Sequence, residues 1–584
     1  NSGQSNQGTQ SVAIGDNSGE FAQEQQTVAI GFQAGQTSQS SKSVAIGYES
    51  GQTSQSTQSV AMGHLSGRVR QGSRSVAVGD TCGELSQNAF SVAVGYNAGR
   101  SYQGSESVAV GYVAGELGQN AMSVAIGSNA GQSYQGTQSV AMGDDSGRVN
   151  QKSQSVAIGY QCGELNQNAQ SVAMGYQSGY TGQGSQSVAI GRNSGYTLQG
   201  DKSVAIGDSC GETNQNAFSV AMGYQAGQSL QSLQSVSIGY NAGQLTQNGQ
   251  AVAIGYQSGQ SGQRTKAVAV GYQTGHIDQG EKSVAVGFEC GETSQGIQSV
   301  AMGYRSGQTS QGEQSVAIGH QSGMTSQSAQ SVAIGLNAGL LNQNTQSVAL
   351  GYQSGESGQG SQSVAAGFRS GKISQGSQSV AIGYQSGRDQ QGSRSVAIGD
   401  SCGEIGQNAF SVAMGYNAGR SYQGSQSIAV GYLAGQYAQN VSSTAVGTFA
   451  GQSYQNKESV AVGTFAGQFL QGSESVAVGY AAGELSQNAL SVAIGSNAGQ
   501  SNQGTQCVSI GDNSGEINQS RQSVAIGYQS GRSSQGSESV AVGYVAGELS
   551  QNALSVAIGS NAGQSYQATQ CVALGDNAGE ISQA

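Results

Sequence analysis

The sixteen residues SVAIGYQSGRDQQGSR, from Ser379 to Arg394, are followed by another SVAIG that begins at Ser395. The same unit recurs along all 584 residues, from an SVAIG at Ser11 onwards, without one insertion or deletion. Self-similarity at a fixed period is the sequence signature of a repeat architecture, and random low-complexity sequence does not keep its register over so many copies. The repeat therefore decides the fold, and it argues against disorder.

Three columns of the repeat hold one residue type throughout. Gly occupies every sixteenth position from Gly15 to Gly575 and again from Gly3 to Gly579, and Gln does so from Gln7 to Gln583. The whole chain has 95 Gly, no Pro and no Trp, and only 9% of its residues are charged. Ordinary proteins have about 7% Gly and about 25% charged residues. Collagen is excluded because Gly does not fall at every third position.

Sixteen residues with two fixed glycines are too few for a pair of helices and fit one coil of a β-solenoid. In SVAIG the apolar residues alternate with small ones, which is the period of a strand. Gly383 ends this strand, and YQSG makes a corner that ends at Gly387, with Gly399 and Gly403 as the equivalent glycines one coil later. Such a glycine takes a positive φ at little cost. A second short strand over about 388–391 follows, and GSR turns back.

We therefore predict an all-β, single-chain parallel β-roll of about 36 coils, with 16 residues and two short strands per coil. It forms one continuous domain over residues 1–584 and is uncapped at both ends. Equal columns stack about 4.8 Å apart, so the backbone groups of each coil bond to the coils above and below. Each coil buries its apolar residues only with the help of its neighbours.

Two columns are candidates for the core. The Val column runs from Val12 to Val572, and the Ile/Val/Met/Leu column from Ile14 to Leu574. A looser apolar column in the second strand shares the inward face with the Gln column in this interpretation. There Gln375, Gln391 and Gln407 form an amide ladder, in which each side chain donates to the Gln one coil along.

The alternate residues of the first strand are small in every coil. By alternation we expect them to point outward, and a flat face of Ser and Ala then predicts lateral self-association. This predicted packing face contains Ser379, Ala381, Ser395, Ala397 and Ala413. Two alternatives remain open: the Ala column points into a very thin core, or the repeats are homogeneous for reasons unrelated to packing.

Tyr recurs directly after the first Gly of the coil, with an unbroken run at Tyr224, Tyr240, Tyr256 and Tyr272. One interpretation is a stacked structural edge. The other is a binding edge for carbohydrate or a host surface, because Tyr supplies contact area at low entropic cost and keeps a polar tip.

No catalytic, cofactor-binding or metal-binding site is predicted. The three histidines, His64, His276 and His320, lie on separate coils, and no nucleophile, zinc or phosphate-loop spacing is present. Asp and Glu pairs such as Asp80 and Glu84 suit solvated turns better than a metal site. The seven cysteines are too far apart within their columns to form disulfides and are interpreted as small packing residues.

The SVAIG strand followed by x-x-x-G resembles the head repeats of YadA-type trimeric autotransporter adhesins. The units also resemble repeats in fibre-like proteins of large DNA viruses and in phage tail fibres. The resemblance implies a left-handed roll, three chains packed side by side, and a surface-exposed fibre or adhesive shaft.

Our main hypothesis is therefore a structural fibre, stiff and self-associating, at the extracellular, cell or virion surface. Its expected partner is itself, through lateral assembly such as a trimer or through end-to-end stacking. A net charge of −11 offers no basic stripe for nucleic acid, and no apolar run is long enough to insert in a membrane. An adhesin that binds glycans or a host surface through the Tyr edge is one alternative, and an ice-binding protein is another.

Overall fold

The computed structural model describes residues 2–582, so Asn1, Gln583 and Ala584 lie outside the described residues, and with them the last member of the Gln column. Every regular element among the described residues is a β-strand. The chain is an all-β parallel solenoid of about 36 coils with 16 residues per coil, which confirms the predicted fold class. It divides into two compact units, Asn1–Thr293 and Ser294–Ala584.

In the first unit each coil begins with a strand that starts at the Val column. These first strands are Val12–Ile14, Val28–Ile30, Val44–Ile46, Val60–Met62, Val76–Asp80, Val92–Tyr96, Val108–Tyr112, Val124–Ile126, Val140–Met142, Val156–Tyr160, Val172–Tyr176, Val188–Arg192, Val204–Asp208, Val220–Tyr224, Val236–Tyr240, Val252–Ile254, Val268–Tyr272 and Val284–Phe288. The second strands end at the Gln column and are Ser5–Gln7, Phe21–Gln23, Thr37–Gln39, Thr53–Gln55, Val69–Gln71, Leu85–Gln87, Ser101–Gln103, Ser229–Gln231, Leu245–Gln247, Ser261–Gln263 and Ile277–Gln279.

The second unit repeats this arrangement. Its first strands are Val300–Tyr304, Val316–His320, Val332–Ile334, Val348–Leu350, Val364–Ala366, Val380–Ile382, Val396–Ile398, Val412–Met414, Ile428–Val430, Thr444–Val446, Val460–Val462, Val476–Val478, Val492–Ile494, Val508–Ile510, Val524–Ile526, Val540–Val542, Val556–Ile558 and Val572–Leu574. Its second strands are Thr309–Gln311, Thr325–Gln327, Leu341–Gln343, Ser357–Gln359, Ile373–Gln375, Asp389–Gln391, Leu485–Gln487 and Ser501–Gln503, and Thr293–Gln295 spans the division in sequence.

All pairings within the units are parallel, and each residue pairs with its equivalent sixteen residues along. The strand Val380–Ile382 pairs with Val396–Ile398, so that Ala381 lies opposite Ala397. In the second strands Gln375 lies opposite Gln391. Where no second strand is assigned, single bridges keep the same register. Because every rung lies over an equivalent rung, one set of backbone bonds satisfies coil after coil.

The two glycine columns shape the coil in different ways. Gly383 has a φ of 126°, and a Cβ at this position would overlap the carbonyl oxygen of Gly399 in the next coil. Gly387 has a φ of 52°, and a Cβ there would lie 2.8 Å from the Gln391 side chain. The first column is therefore Gly because adjacent coils touch through their backbones, and the second because the buried Gln needs the space.

In most coils three further corners use a positive φ at residues other than glycine. In the coil that begins at Ser379 these are Gln385, Gln390 and Arg394, with φ values between 51° and 58°. Gln390 is the middle residue of the second strand. A left-handed residue there breaks the simple alternation of the strand. The looser apolar column, which lies directly before this middle residue, therefore does not share the inward face with the invariant Gln column that follows it. Ile277 in that column is exposed.

The core is made of the small residues, and our assignment of the two sides of the first strand was wrong. Ala381 is 0% exposed, whereas Ile382 is 40% exposed. The residues of the predicted outward packing face are all buried inside the coil: Ser379, Ala381, Ser395, Ala397 and Ala413. Of the interpretations left open, the structure therefore supports an Ala column that points into a very thin core.

The buried glutamines explain why this core is so thin. Gln391 reaches across from the second strand, and its Nε2 donates to the carbonyl oxygen of Val380 at 2.8 Å. Gln375 and Gln407 make the same bond to Val364 and Val396, at 2.8 and 2.9 Å. A side chain that spans the interior leaves room in the facing columns only for small residues, namely Ala, Ser, Cys and, at two positions, Thr. The larger Val and Ile side chains must then point away from the core.

Candidate functional site

The first strands present a continuous apolar surface to the outside of each coil. We call it the Val–Ile face; it consists of the outward side chains of the first strands, such as Val380 and Ile382, and their equivalents in the other coils. Eighteen first strands contribute to it in each unit. Val380 is half-buried and Ile382 is exposed, although the core beneath them is closed. Aliphatic rows of this length are unusual on a monomer that stays alone, because they leave apolar area in water.

The amide ladder predicted at Gln375, Gln391 and Gln407 is only partly present as side-chain contacts. Nε2 of Gln407 donates to Oε1 of Gln423 one coil along, at 3.1 Å. Within the described residues the Oε1 atoms of Gln375, Gln391 and Gln407 accept no hydrogen bond. The bond across the core to a strand carbonyl is present at all three positions. The main role of this column is therefore to tie the two sheets together, and the contact between coils is secondary.

The hydroxyl groups of the small columns are also satisfied inside the coil. Ser379 Oγ donates to the carbonyl oxygen of Gly376 at 2.6 Å, and Ser395 repeats this bond to Gly392. These serines close the turn before the first strand. They are part of the fold, and they are not available to a partner.

The predicted Tyr edge forms a stack on the surface. The ring centroids of Tyr224 and Tyr240 are 4.9 Å apart, those of Tyr240 and Tyr256 are 5.1 Å apart, and those of Tyr256 and Tyr272 are 5.0 Å apart. The planes of neighbouring rings differ by only 6–11°, and the stack continues to Phe288. The four tyrosines are 39–44% exposed. In such a stack the ring edges and hydroxyl groups face water, while most ring faces are covered by the neighbouring rings.

A second column of tyrosines was missed by the sequence analysis. It lies at the left-handed middle residue of the second strand, and its members are far more exposed, at 61–72%. They are Tyr102, Tyr134, Tyr422, Tyr454 and Tyr566. The signal that could have revealed them is the order of residues down one column, where Tyr alternates with a small residue: Tyr102, Gly118, Tyr134 and again Tyr422, Ala438, Tyr454.

Charged residues at one corner form ion pairs between coils. Glu404 is buried between Arg388 and Arg420, with N–O distances of 2.6 and 2.7 Å. The hydrogen bond that Arg420 donates to Glu404 raises the pKa of Arg420. Glu84 is likewise buried and paired, with Arg68 and Arg100, so it does not lie in the solvated turn that we expected. These pairs bridge successive coils and stabilise their stacking.

Six of the seven cysteines are buried, and the exception is Cys571. Burial raises the pKa of four of them, Cys82, Cys162, Cys210 and Cys402, to about 11. The Cys82 thiol donates to the carbonyl oxygen of Gly95 at 2.8 Å. These thiols occupy the small-residue column and remain protonated, which makes them poor nucleophiles.

Residues 2–582 contain no cluster of three or more His, Cys, Asp or Glu side chains that could hold a metal ion. In the same part of the chain no helix has the length and hydropathy needed to cross a membrane.

The comparison with protein families supports the resemblance seen in the sequence. The YadA head domain repeat matches residues 294–322 and 310–338. Head repeats of this type belong to adhesins of the cell surface, so the matched coils are similar to an adhesin repeat. A comparison with curated proteins found no match.

Proposed function

We propose that this protein is a surface fibre of the adhesin type, whose copies associate laterally through the Val–Ile face. The observation that carries the proposal is the orientation of the first strand, whose small side chains face the core and whose large aliphatic side chains face outward. The core is filled by Ala, Ser and Gln, and the larger aliphatic side chains stand outside it in eighteen rows per unit. A second copy of the chain, with rows of the same spacing, is the occupant that this face fits best.

The size of the face agrees with a stable interface. A strand of three residues is about 10 Å long and the coils are about 4.8 Å apart, so each coil presents about 50 Å². Eighteen coils then present about 900 Å², and each partner in a standard protein interface contributes about 800 Å². The similarity to YadA head repeats supports a trimer as the number of chains and the cell surface as the location.

We include in this proposal the single continuous domain over residues 1–584. Its support is the 16-residue period, which passes through the division at 293–294 without an insertion or deletion.

The test places charges on the Val–Ile face without touching the core. The variant Ile382→Glu with Ile398→Glu adds two carboxylates to adjacent coils of the face. The matched control, Ser374→Glu with Gln390→Glu, adds two carboxylates to adjacent coils at exposed positions of the second strands. Each unpaired charge buried in an interface costs several kcal/mol, so the association constant measured by sedimentation equilibrium should fall about a thousandfold or more.

The control should associate as the wild-type protein does, and circular dichroism should show intact β-structure in both variants. A wild-type chain that is monomeric at about 10 µM, where a biological interface with a Kd near 1 µM would be mostly formed, would contradict the proposal. So would a double Ile variant that assembles normally.

Adhesion through the stacked column Tyr224, Tyr240, Tyr256 and Tyr272 remains a second candidate, favoured by the exposure of these rings. Its weakness is physical, because sugar rings pack on aromatic faces and the stack covers most of them. The ice-binding alternative loses its basis, since the flat Ser and Ala face on which it depended lies inside the coil.

A further inference from the structure

The five tyrosines of the second column lie outside the proposed assembly face. Each is the middle residue of a second-strand segment, and the Gln that follows it points into the core. The second strand lies across the core from the first, as the bond from Gln439 Nε2 to the carbonyl oxygen of Ile428 shows. Copies that associate through the Val–Ile face would therefore leave this column open to solvent.

Four of these tyrosines occur as two pairs, and each pair encloses a gap of one coil. Tyr422 and Tyr454 stand two coils apart with Ala438 between them, and Tyr102 and Tyr134 stand two coils apart with Gly118 between them. The bridges that join Ser421, Tyr437 and Ser453 in register keep the backbone beneath the first pair regular. The small middle residue covers little of the rings, which are 61–72% exposed, in contrast to the 39–44% of the stacked column.

The space within the first pair is a cleft of about 590 Å³. It is lined by Ser421, Tyr422, Tyr437, Ala438, Ser453 and Tyr454. Tyr437 is 43% exposed and stands next to Ala438, where it adds a third aromatic surface. The lining has hydroxyl groups and aromatic rings but no charged side chain.

We propose that the cleft between Tyr422 and Tyr454 binds one pyranose ring of a neutral saccharide, held between the two tyrosine rings. This assignment rests on the distance between the two tyrosine rings. Rings one coil apart are 4.9–5.1 Å apart in the stacked column, so rings two coils apart are separated by about 10 Å.

Carbon atoms pack best at 3.5–4.0 Å, so a flat aromatic guest would fill only about 7–8 Å between two rings. A pyranose chair is puckered and carries substituents, and it needs about 1–2 Å more. The cleft thus fits a sugar better than an aromatic ring.

The polar groups of the cleft agree with the same ligand. The hydroxyl groups of Ser421 and Ser453 can each donate and accept, which suits the hydroxyl groups of a sugar. The Tyr437 hydroxyl is hydrogen-bonded to Arg420, so Tyr437 contributes its ring. The lining residues carry no charge, and Arg420, which contacts the Tyr437 hydroxyl, is already paired with Glu404, so the cleft favours a neutral saccharide over an acidic one. Ligand sites commonly combine aromatic walls with a few polar groups of this kind.

The pair Tyr102 and Tyr134 repeats this arrangement with two differences in its floor. Leu117 stands where the first pair has Tyr437, and Gly118 replaces Ala438. The tyrosine walls are kept, and the serines at 101 and 133 are kept as well. We therefore assign two sites per chain, of which the one with Tyr437 has the additional aromatic ring and binds more tightly.

The experiment uses the full chain and three neutral probes, cellotriose, chitotriose and lactose, with sialyllactose as an acidic comparison. Binding and the number of sites are measured by titration calorimetry and by saturation-transfer NMR. Wild-type protein should bind at least one neutral probe at two sites per chain. Tyr454→Ala should leave one site, and Tyr134→Ala with Tyr454→Ala should weaken binding about tenfold or more.

Two substitutions provide matched controls. Tyr566 is equally exposed but has Ser534 two coils before it, so it has no partner ring, and Tyr566→Ala should leave binding unchanged. The converse variant, Ser534→Tyr, places a ring opposite Tyr566 with Ser550 between them and should raise the number of sites from two to three.

The proposal is overturned if no neutral probe binds at about 10 mM, which is weaker than any useful saccharide site. It is also overturned if Tyr566→Ala weakens binding as much as Tyr454→Ala does, or if only a proline-rich peptide such as decaproline binds to the cleft. Sedimentation of the same variants separates this result from the assembly proposal, because none of the tyrosines belongs to the Val–Ile face.

Discussion

The burial of the Ala column makes a sharp prediction for the substitution Ala381→Glu. Ala381 is fully buried, and even a Cβ built on the neighbouring Gly387 would lie only 3.2 Å from the Ala381 Cβ. The larger side chain overpacks the core, which costs about 1–3 kcal/mol. Its carboxylate is also removed from water without a partner, which costs several kcal/mol more. The sum, about 5 kcal/mol or more, is comparable to the whole stability of a typical domain.

Stability in a solenoid adds up coil by coil, so the damage should appear first around the altered coil. We expect hydrogen exchange of the amides in residues 375–399 to become much faster in Ala381→Glu, and the melting temperature measured by circular dichroism to fall. The matched control is Ile382→Glu on the adjacent, outward residue. Because Ile382 is 40% exposed, this change should cost the isolated chain only about 1 kcal/mol.

The pH dependence of the stability of Ala381→Glu separates the cost of overpacking from the cost of burying a charged carboxylate. The buried carboxyl of Ala381→Glu has its pKa raised in the folded state by burial, above the value of about 4.3 in the unfolded chain. The destabilisation is therefore smallest below about pH 4. It grows as the pH rises from the pKa of the unfolded chain to the higher pKa of the folded state. If Ala381→Glu melts like the wild-type protein at pH 7 with unchanged exchange, the Ala column does not lie in the core and our description of the coil is wrong.

Two other predictions concern the glycine and cysteine columns. Gly383→Ala should destabilise its coil by about 3 kcal/mol or more in urea unfolding, because the new Cβ overlaps the Gly399 carbonyl at a strained positive φ. The matched control Gly249→Ala should be tolerated, because a Cβ there would lie 3.4 Å from the Leu233 carbonyl oxygen and Ala121 already fills the same column in another coil; equal losses would contradict this reason. Burial raises the pKa of Cys402 to about 11, above the value of 9.0 for an ordinary thiol. The contribution of this thiol to stability is therefore constant below about pH 9 and is lost between about pH 9 and 11, where the unfolded thiol ionises first. In Cys402→Ala this loss of stability should be smaller, and a denaturant titration at pH 8 and pH 10.5 that shows no difference between the two proteins would refute the assignment.

The period of the sequence was enough to predict the solenoid. A constant spacing of sixteen residues places each residue over its equivalent, so the pairing register, the two strands per coil and the turns at Gly383 and Gly387 all follow from it. The division into two units gave no signal, because the period continues through 293–294 unchanged.

The period of the sequence could not predict which side of the first strand faces the core. Alternation shows that Val380 and Ile382 oppose Ala381, but the pattern is the same whichever side is inside. Hydrophobicity then favoured the wrong choice, since it ranks Val and Ile above Ala. Only the tertiary structure shows that Gln391 spans the interior and leaves room in the facing columns for nothing larger than Thr.

The same physical reason separates the two tyrosine columns. The sequence by itself determined which residues stack on which, and so it predicted the run from Tyr224 to Tyr272. The proposed binding role of Tyr422 and Tyr454 depends on what surrounds their rings. Each ring stands on a left-handed backbone position, and the small Ala438 lies between them. A one-dimensional repeat sets the neighbours along the axis, whereas the inside, the outside and the open spaces of a coil are set by side-chain size and reach in the folded cross-section.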